Sequence, residues 1–268
     1  LTEDAALTAF TERAKTVLGE TVRSGRLLIH LTAESAGKAE VLPLLMELSA
    51  RYPAGGKGEM RFRFAENIKR EGFGSASRVN YVARIGNFRT GGFRYTGALR
   101  IAQTMLSYGY LWNEIRSKGG AYGCAVRFGR GGSVVFSSYR DPKLEETDKV
   151  YEGVPGYLEQ YEADEREMTK AIIGAVGEMD TPRTPQLSGL LALSAYYSKV
   201  TDEMFAKERA EVLSATPEDI RALAPLVREA LKYEAKCVIG NEGAIARAKD
   251  FFTETAQLFA AESEETEA

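Results

Sequence analysis

Arg116 and Tyr122 are the two side chains of this 268-residue chain whose types and spacing could do chemistry together. Both lie in the stretch Tyr110-Leu-Trp-Asn-Glu-Ile-Arg-Ser-Lys-Gly-Gly-Ala-Tyr-Gly123. Gly119 and Gly120 stand between them. Glycine takes the left-handed conformation that ends a helix, so this pair turns the chain from helix to strand within a few residues. Such a turn can carry a guanidinium and a phenol to the same side of a cleft. Arginine brings a planar fork of donors suited to carbonyl oxygens or a carboxylate, and tyrosine adds one O–H and an apolar face. The pair could hold a peptide backbone without reading its side chains. The same residues also allow a plain structural reading, in which Arg116 complements a helix C-terminus and Tyr122 packs at a strand start.

Other chemistries fail on count or context. His30 is the only histidine, and zinc motifs of the HxxEH type, direct or inverted, need two. Within its apolar run, His30 reads as a core or edge histidine. A nucleophile triad would also have to use His30, and neither Cys124 nor Cys237 has a suggestive context. The two cysteines lack metal-ligand spacing and fit a reducing compartment. Gly129, Gly131 and Gly132 match neither GxxxxGK(S/T) nor GxGxxG, and they join two expected strands, so they read as a hairpin turn. A net charge of −3 gives no general attraction to nucleic acid or an anionic membrane. No apolar run approaches the roughly 20 residues that span a bilayer. No basic-then-apolar segment follows Leu1, so a signal peptide is not expected.

The elements that must position the pair follow from periodicity. Leu99, Ile101, Ala102, Met105, Leu106, Leu111, Trp112 and Ile115 predict a long helix from about Gly97 towards Ser117, stopped by the two glycines. Strands are expected at Tyr122–Phe128 and Ser133–Tyr139 around the glycine turn, and earlier at Arg26–Ala33, Glu59–Glu66 and Ser77–Ile85. Helices are expected at Leu7–Val22, Ala39–Tyr52 (with Pro43 in its first turn), Pro142–Tyr161, Asp164–Met179, Pro185–Lys199 and Asp202–Ser214. Thr216 reads as an N-cap before Pro217. A last strand at Ala235–Gly240 and a helix from about Gly243 to Phe259 complete the pattern. The fold class is α+β, a two-layer arrangement of a mainly antiparallel sheet covered by helices. Residues 1–260 read as a single domain and 261–268 as an acidic, disordered tail.

The motif around Arg116 and Tyr122 resembles the C-terminal half of the presequence-protease branch of the pitrilysin/insulin-degrading-enzyme (insulinase) family of zinc peptidases. Further segments continue the likeness in order. They are Glu71-Gly-Phe-Gly-Ser75, Val79-Asn-Tyr-Val-Ala83, Ser137-Ser-Tyr-Arg-Asp-Pro142, Glu167-Met-Thr-Lys-Ala-Ile-Ile-Gly174, Asp180-Thr-Pro-Arg-Thr-Pro185 and Cys237-Val-Ile-Gly-Asn241. The resemblance implies the metallohydrolase fold of the LuxS/mitochondrial-processing-peptidase type. It also implies a zinc metalloendopeptidase of two halves that close around unfolded oligopeptides. Zinc would be bound by an N-terminal half, and this chain, lacking the motif, would be inactive alone. Arg116 and Tyr122 match the substrate-holding arginine and tyrosine of that family, with Gly119 and Gly120 between them as substrate-binding turn. The expected partners are an unfolded peptide and the zinc-bearing half, on the same or a separate polypeptide. The alternative is a non-catalytic partner or structural subunit. Bacterial cytoplasm is the expected compartment, with the mitochondrial matrix or another organelle as the alternative.

Overall fold

The computed structural model describes residues 4–55 and 67–259, which fall into two compact units. The smaller gathers residues 4–55 and Pro182–Thr201. Its helices α1 (Asp4–Thr21) and α2 (Ser35–Ala50) form where the apolar period places them. Pro43 sits in the middle of α2 instead of its first turn, at the expense of one backbone hydrogen bond. The expected strand at Arg26–Ala33 does not form. Ser24–Arg26 makes a 3-10 turn, and the residues after it run without ladder partners, with Leu27, Leu28, Ile29 and His30 exposed. An apolar run becomes a strand only where another strand offers hydrogen bonds, and none among the described residues does so here. The strand expected at Glu59–Glu66 and the acidic tail lie outside the described residues.

The larger unit, residues 67–181 and 202–259, carries the sheet. It begins with β1 (Arg70–Ser75) and β2 (Asn80–Asn87). Next comes α3 (Ala98–Met105), which runs on through two wider π-helical segments, Leu106–Tyr110 and Trp112–Ser117. The hairpin β3 (Gly123–Phe128) and β4 (Ser133–Asp141) leads into α4 (Glu145–Glu159) and α5 (Glu165–Met179). The chain then enters the smaller unit as α6 (Pro185–Ser198) and returns through α7 (Asp202–Leu213), α8 (Pro217–Arg221) and α9 (Ala224–Leu231). It closes with β5 (Ala235–Asn241), α10 (Glu242–Arg247) and β6 (Glu254–Gln257).

The strands make one six-stranded sheet in the order β3-β4-β2-β5-β1-β6. Its β3–β4, β4–β2 and β2–β5 pairings are antiparallel, and β5–β1 and β1–β6 are parallel. The fold is thus α+β with a mainly antiparallel sheet. Two edges of the pattern differ from expectation. Arg70–Ser75 is a strand that glycine-rich periodicity hid. The expected helix to Phe259 ends at Arg247 and gives way to β6, because β1 offers it a free edge. The Thr253 amide bonds the Arg70 carbonyl at 2.7 Å, and the Leu258 amide bonds that of Gly74 at 2.8 Å.

Helices cover one face of the sheet. Along β2, Asn80, Val82, Arg84 and Gly86 are buried while Tyr81 and Ile85 are exposed, the alternation of a half-covered strand. Val82, Val126, Phe136 and Val238 form the sheet side of the core, with Leu99, Leu106, Tyr151 and Leu158 among the helix residues opposite. Phe136 and Tyr151 stack with ring centroids 5.1 Å apart. Emptying either position would cost about 3–5 kcal/mol. Gly86 lets α9 lie directly on β2, since a Cβ there would run into the Ala230 carbonyl.

Several charges buried on this face are paired. Arg84 donates to Asp148 at 3.0 Å, to Glu152 at 2.8 Å and to the Leu231 carbonyl at 2.9 Å, and Lys236 reaches Asp148 at 2.6 Å. Glu208 on α7 accepts from Arg100, from Arg130 at the hairpin turn and from the Tyr95 hydroxyl. Burial pushes the Glu208 carboxyl up. Bonds from Arg100 and Arg130 more than offset that and leave it below the usual carboxylate range.

Candidate functional site

The helix expected from Gly97 to Ser117 is continuous, but its last turns are wide. Such turns shift the helix phase, so residues beyond them face directions that a plain 3.6 period does not give. Leu111 and Ile115 anchor this end in the core. Between those anchors, Trp112 and Arg116 share one side of the helix, and the Arg116 guanidinium carbon lies 4.2 Å from the Trp112 ring centroid.

The glycines then do distinct work. The Gly120 amide donates to the Arg116 carbonyl at 2.9 Å and the Ala121 amide to that of Ile115 at 3.1 Å, which closes the helix end. Gly120 needs its φ of +87° for this turn. Gly119 is packed so closely that a Cβ would collide with the Ile115 carbonyl. The chain emerges with Ala121 buried and Tyr122 62% exposed.

The structure therefore places Arg116 and Tyr122 side by side. The guanidinium carbon lies 5.3 Å from the Tyr122 ring centroid, and Nη1 donates to the Tyr122 backbone carbonyl. That bond ties the helix end to the first residue after the turn. Arg116 forms no ion pair among the described residues, and its other N–H donors face two aromatic rings or solvent. Nothing among the described residues bonds the Tyr122 hydroxyl. The site thus combines a cation without a counter-ion, an exposed phenol and two ring faces, a set suited to backbone carbonyls and apolar side chains.

Three neighbours escaped the sequence reading. Tyr139 packs edge-on against Tyr122 with centroids 5.5 Å apart, and Tyr81 packs edge-on against Tyr139 at 5.3 Å. The Arg140 guanidinium carbon is 6.0 Å from the Tyr122 ring centroid. Arg140 has a φ of 50°, left-handed for a residue with a Cβ, where the β2–β4 ladder slips between Asn80 and Val82. Bulges of this kind re-aim side chains. Period-two alternation in Val79–Ala83 and Ser137–Pro142 was the signal that could have put both tyrosines on one face.

Other candidates carry less. Cys124 lines a depression with Ser107 and Gln103, whose side chains accept from the Val126 and Phe128 amides of edge strand β3. Burial, then the charge of Asp141, pushes its thiol up to about 11, so it holds no thiolate at neutral pH. Cys237 is raised as well, again mainly by burial. Among the described residues, no three His, Cys, Asp or Glu side chains stand close enough to hold a metal ion. His30 is exposed, contrary to its core or edge reading. The single-histidine donor set does not fit a zinc site. No helix among the described residues is long and apolar enough to cross a membrane.

Comparison with known proteins agrees with this architecture. Residues 70–242 match the PreP C-terminal domain, and the chain belongs to that family. It is 42% identical over 191 residues to Protein HypA of Clostridium perfringens, covering 71% of this chain and 20% of that protein. It is 29% identical over 204 residues to Presequence protease 1, chloroplastic/mitochondrial, of Arabidopsis thaliana, covering 75% and 19%. The chain thus spans about a fifth of the curated relatives it matches. Among solved structures, a protease from Helicobacter pylori aligns with a TM-score of 0.54 at 15% identity, over 77% of this chain and 52% of that one. A peptidase M16 inactive domain from Pseudomonas fluorescens aligns at 0.53 and 17%, over 77% and 50%. At those identities the likeness shows the fold alone.

Proposed function

We propose that this chain is the substrate-holding C-terminal domain of a zinc metalloendopeptidase that degrades unfolded oligopeptides. Residues 1–260 would serve as that one domain and the zinc would be borne by a separate N-terminal half. The observation that carries this reading is the state of Arg116: a guanidinium held against Trp112 and beside Tyr122, with no carboxylate among the described residues to neutralise it. A surface arginine without a partner is ordinarily mobile. One stacked between rings is pre-organised, so it binds a ligand with less entropy to lose.

In this reading Arg116 donates to a peptide carbonyl of the substrate, and Tyr122 adds its hydroxyl beside the same stretch of backbone. Both contacts address the main chain, which fits unfolded peptides of many sequences. Gly119 and Gly120 serve by forming the turn that brings the two groups together. The pair orients the peptide and stabilises charge that develops on its carbonyl. Zinc would supply a metal-activated water in the other half, and no residue of this chain is assigned to it. Bacterial cytoplasm is the proposed compartment, on the identity to the Clostridium perfringens protein.

The test uses the complete polypeptide that carries this domain. Arg116→Ala should lower kcat/KM on an unfolded peptide about 100-fold, the scale of one lost transition-state donor. Tyr122→Phe should lower it less. Zinc content should stay stoichiometric in both. Kinetics unchanged by either substitution would end the assignment.

A further inference from the structure

The open face of the sheet carries a ridge that starts at the proposed clamp. Tyr122 touches Tyr139, and Tyr139 touches Tyr81, each in edge-on geometry. Tyr81 is directly opposite Ile239 on β5, and Ile239 is opposite Phe73 on β1. Residues opposite one another in a ladder share a face, so Tyr81, Ile239 and Phe73 form one row that Tyr139 continues across four strands, and Tyr122, just before β3, meets the end of that row through the Tyr139 ring. The four strand residues point away from the covered face. A Cβ on Gly72, next to Phe73, would instead meet Ile245 and Phe252 on the helix side. None of the five belongs to the hydrophobic core or packs against it, and Tyr122, Tyr139 and Tyr81 are 62%, 45% and 43% exposed.

The next row along the strands is low. Ala125, Ser137, Ala83 and Cys237 are opposite one another in register, which leaves room beside the ridge. Three exposed tyrosine rings and two large aliphatic or aromatic side chains in line are costly to leave in water. Sheets that face solvent usually alternate polar residues there.

The geometry points to this ridge as a side-chain subsite for the peptide held by Arg116 and Tyr122, selecting aromatic and large apolar residues. This inference rests on the clamp reading above. Continuity decides the occupant: the row begins at the ring that flanks the guanidinium, so a backbone fixed there extends over Tyr139 and Tyr81. Four strands and the residue that leads into β3, about 4.8 Å apart, make a ridge of roughly 19 Å, the length of about six extended residues. Successive side chains alternate in direction, so about three of the six meet the ridge. The subsite therefore reads every second residue on one side of the scissile bond.

The experiment walks a single Phe, against Ser at the same place, along an otherwise polar unfolded peptide. It measures kcat/KM for the complete polypeptide. Phe should be preferred by about 3- to 10-fold at alternating positions on one side of the cut, the scale of one aromatic contact. Tyr81→Ser and Ile239→Thr should bring that preference to about 1. Both sites are on the open face, and an unchanged Tm confirms the variants fold. A preference that survives both substitutions overturns the subsite, while the Arg116→Ala kinetics still judge the clamp separately. A lowered Tm with equal loss of cleavage of every peptide in Tyr81→Ser would also overturn it, by showing that this face docks the rest of the enzyme.

Discussion

The covered face of the sheet and the end of the long helix use arginine in opposite ways. On the covered face, Arg84 is 3% exposed and spends its charge on Asp148 and Glu152, with Lys236 sharing Asp148. At the end of the long helix, Arg116 is half-buried against Trp112 and Tyr122 and meets no carboxylate among the described residues. A buried guanidinium must be paired because desolvating it alone costs several kcal/mol. A half-exposed one keeps water as its partner, and stacking on rings adds only about 0.5–1 kcal/mol. The contrast separates charge neutralised within the protein from charge left open to solvent or to the proposed ligand.

The sharpest way to break that contrast is at Asp148. Asp148→Ala would leave Arg84 and Lys236 as buried cations without their shared anion, at a cost of about 3–5 kcal/mol by chemical denaturation. Arg116→Ala should move the same measurement by only about 1 kcal/mol, the worth of its ring contacts and one exposed hydrogen bond. If the two variants lost equal stability, the distinction between architecture and site would fail.

A smaller effect is expected at the turn. Gly120→Ala forces a side chain into φ of +87°, at a cost of about 1–2 kcal/mol. It should also lower kcat/KM by displacing Tyr122 from Arg116. Lost stability with intact kinetics would show that the turn merely ends a helix.

The smallest effect concerns pH and Glu208. Its folded carboxyl lies below the ordinary value of 4.5, because Arg100 and Arg130 outweigh burial. A depressed carboxyl contributes stability that is present above the unfolded pKa and lost as pH falls through the folded one. Thermal melts should therefore weaken as pH drops below 4.5, and Glu208→Gln should flatten that part of the profile. A profile identical in the two proteins would remove Glu208 from the acid-sensitive architecture.

Helix ends were legible because their signals are local. Thr216 accepts from the Asp219 amide and Asp164 from the Glu167 amide, as capping chemistry predicts from neighbouring residues alone. The long helix and the Gly119-Gly120 stop were equally readable, and with them the nearness of Arg116 to Tyr122. Strands were harder. Arg26–Ala33 has strand composition and no partner, whereas Glu254–Gln257 has helix-like surroundings and a free edge to join. His30 followed its strand and came out exposed.

The sequence by itself determined most of the helices, the glycine stop of the long one and the arginine–tyrosine pair, since each depends on residues within a few positions. Only the tertiary structure decided that Tyr139 and Tyr81 extend the Tyr122 ring into a row with Ile239 and Phe73. The row is made by ladder register, a bulge at Arg140 and a parallel β1–β5 pairing. The β1–β5 hydrogen bonds join segments more than 150 residues apart, and no local pattern encodes which strand edges will meet.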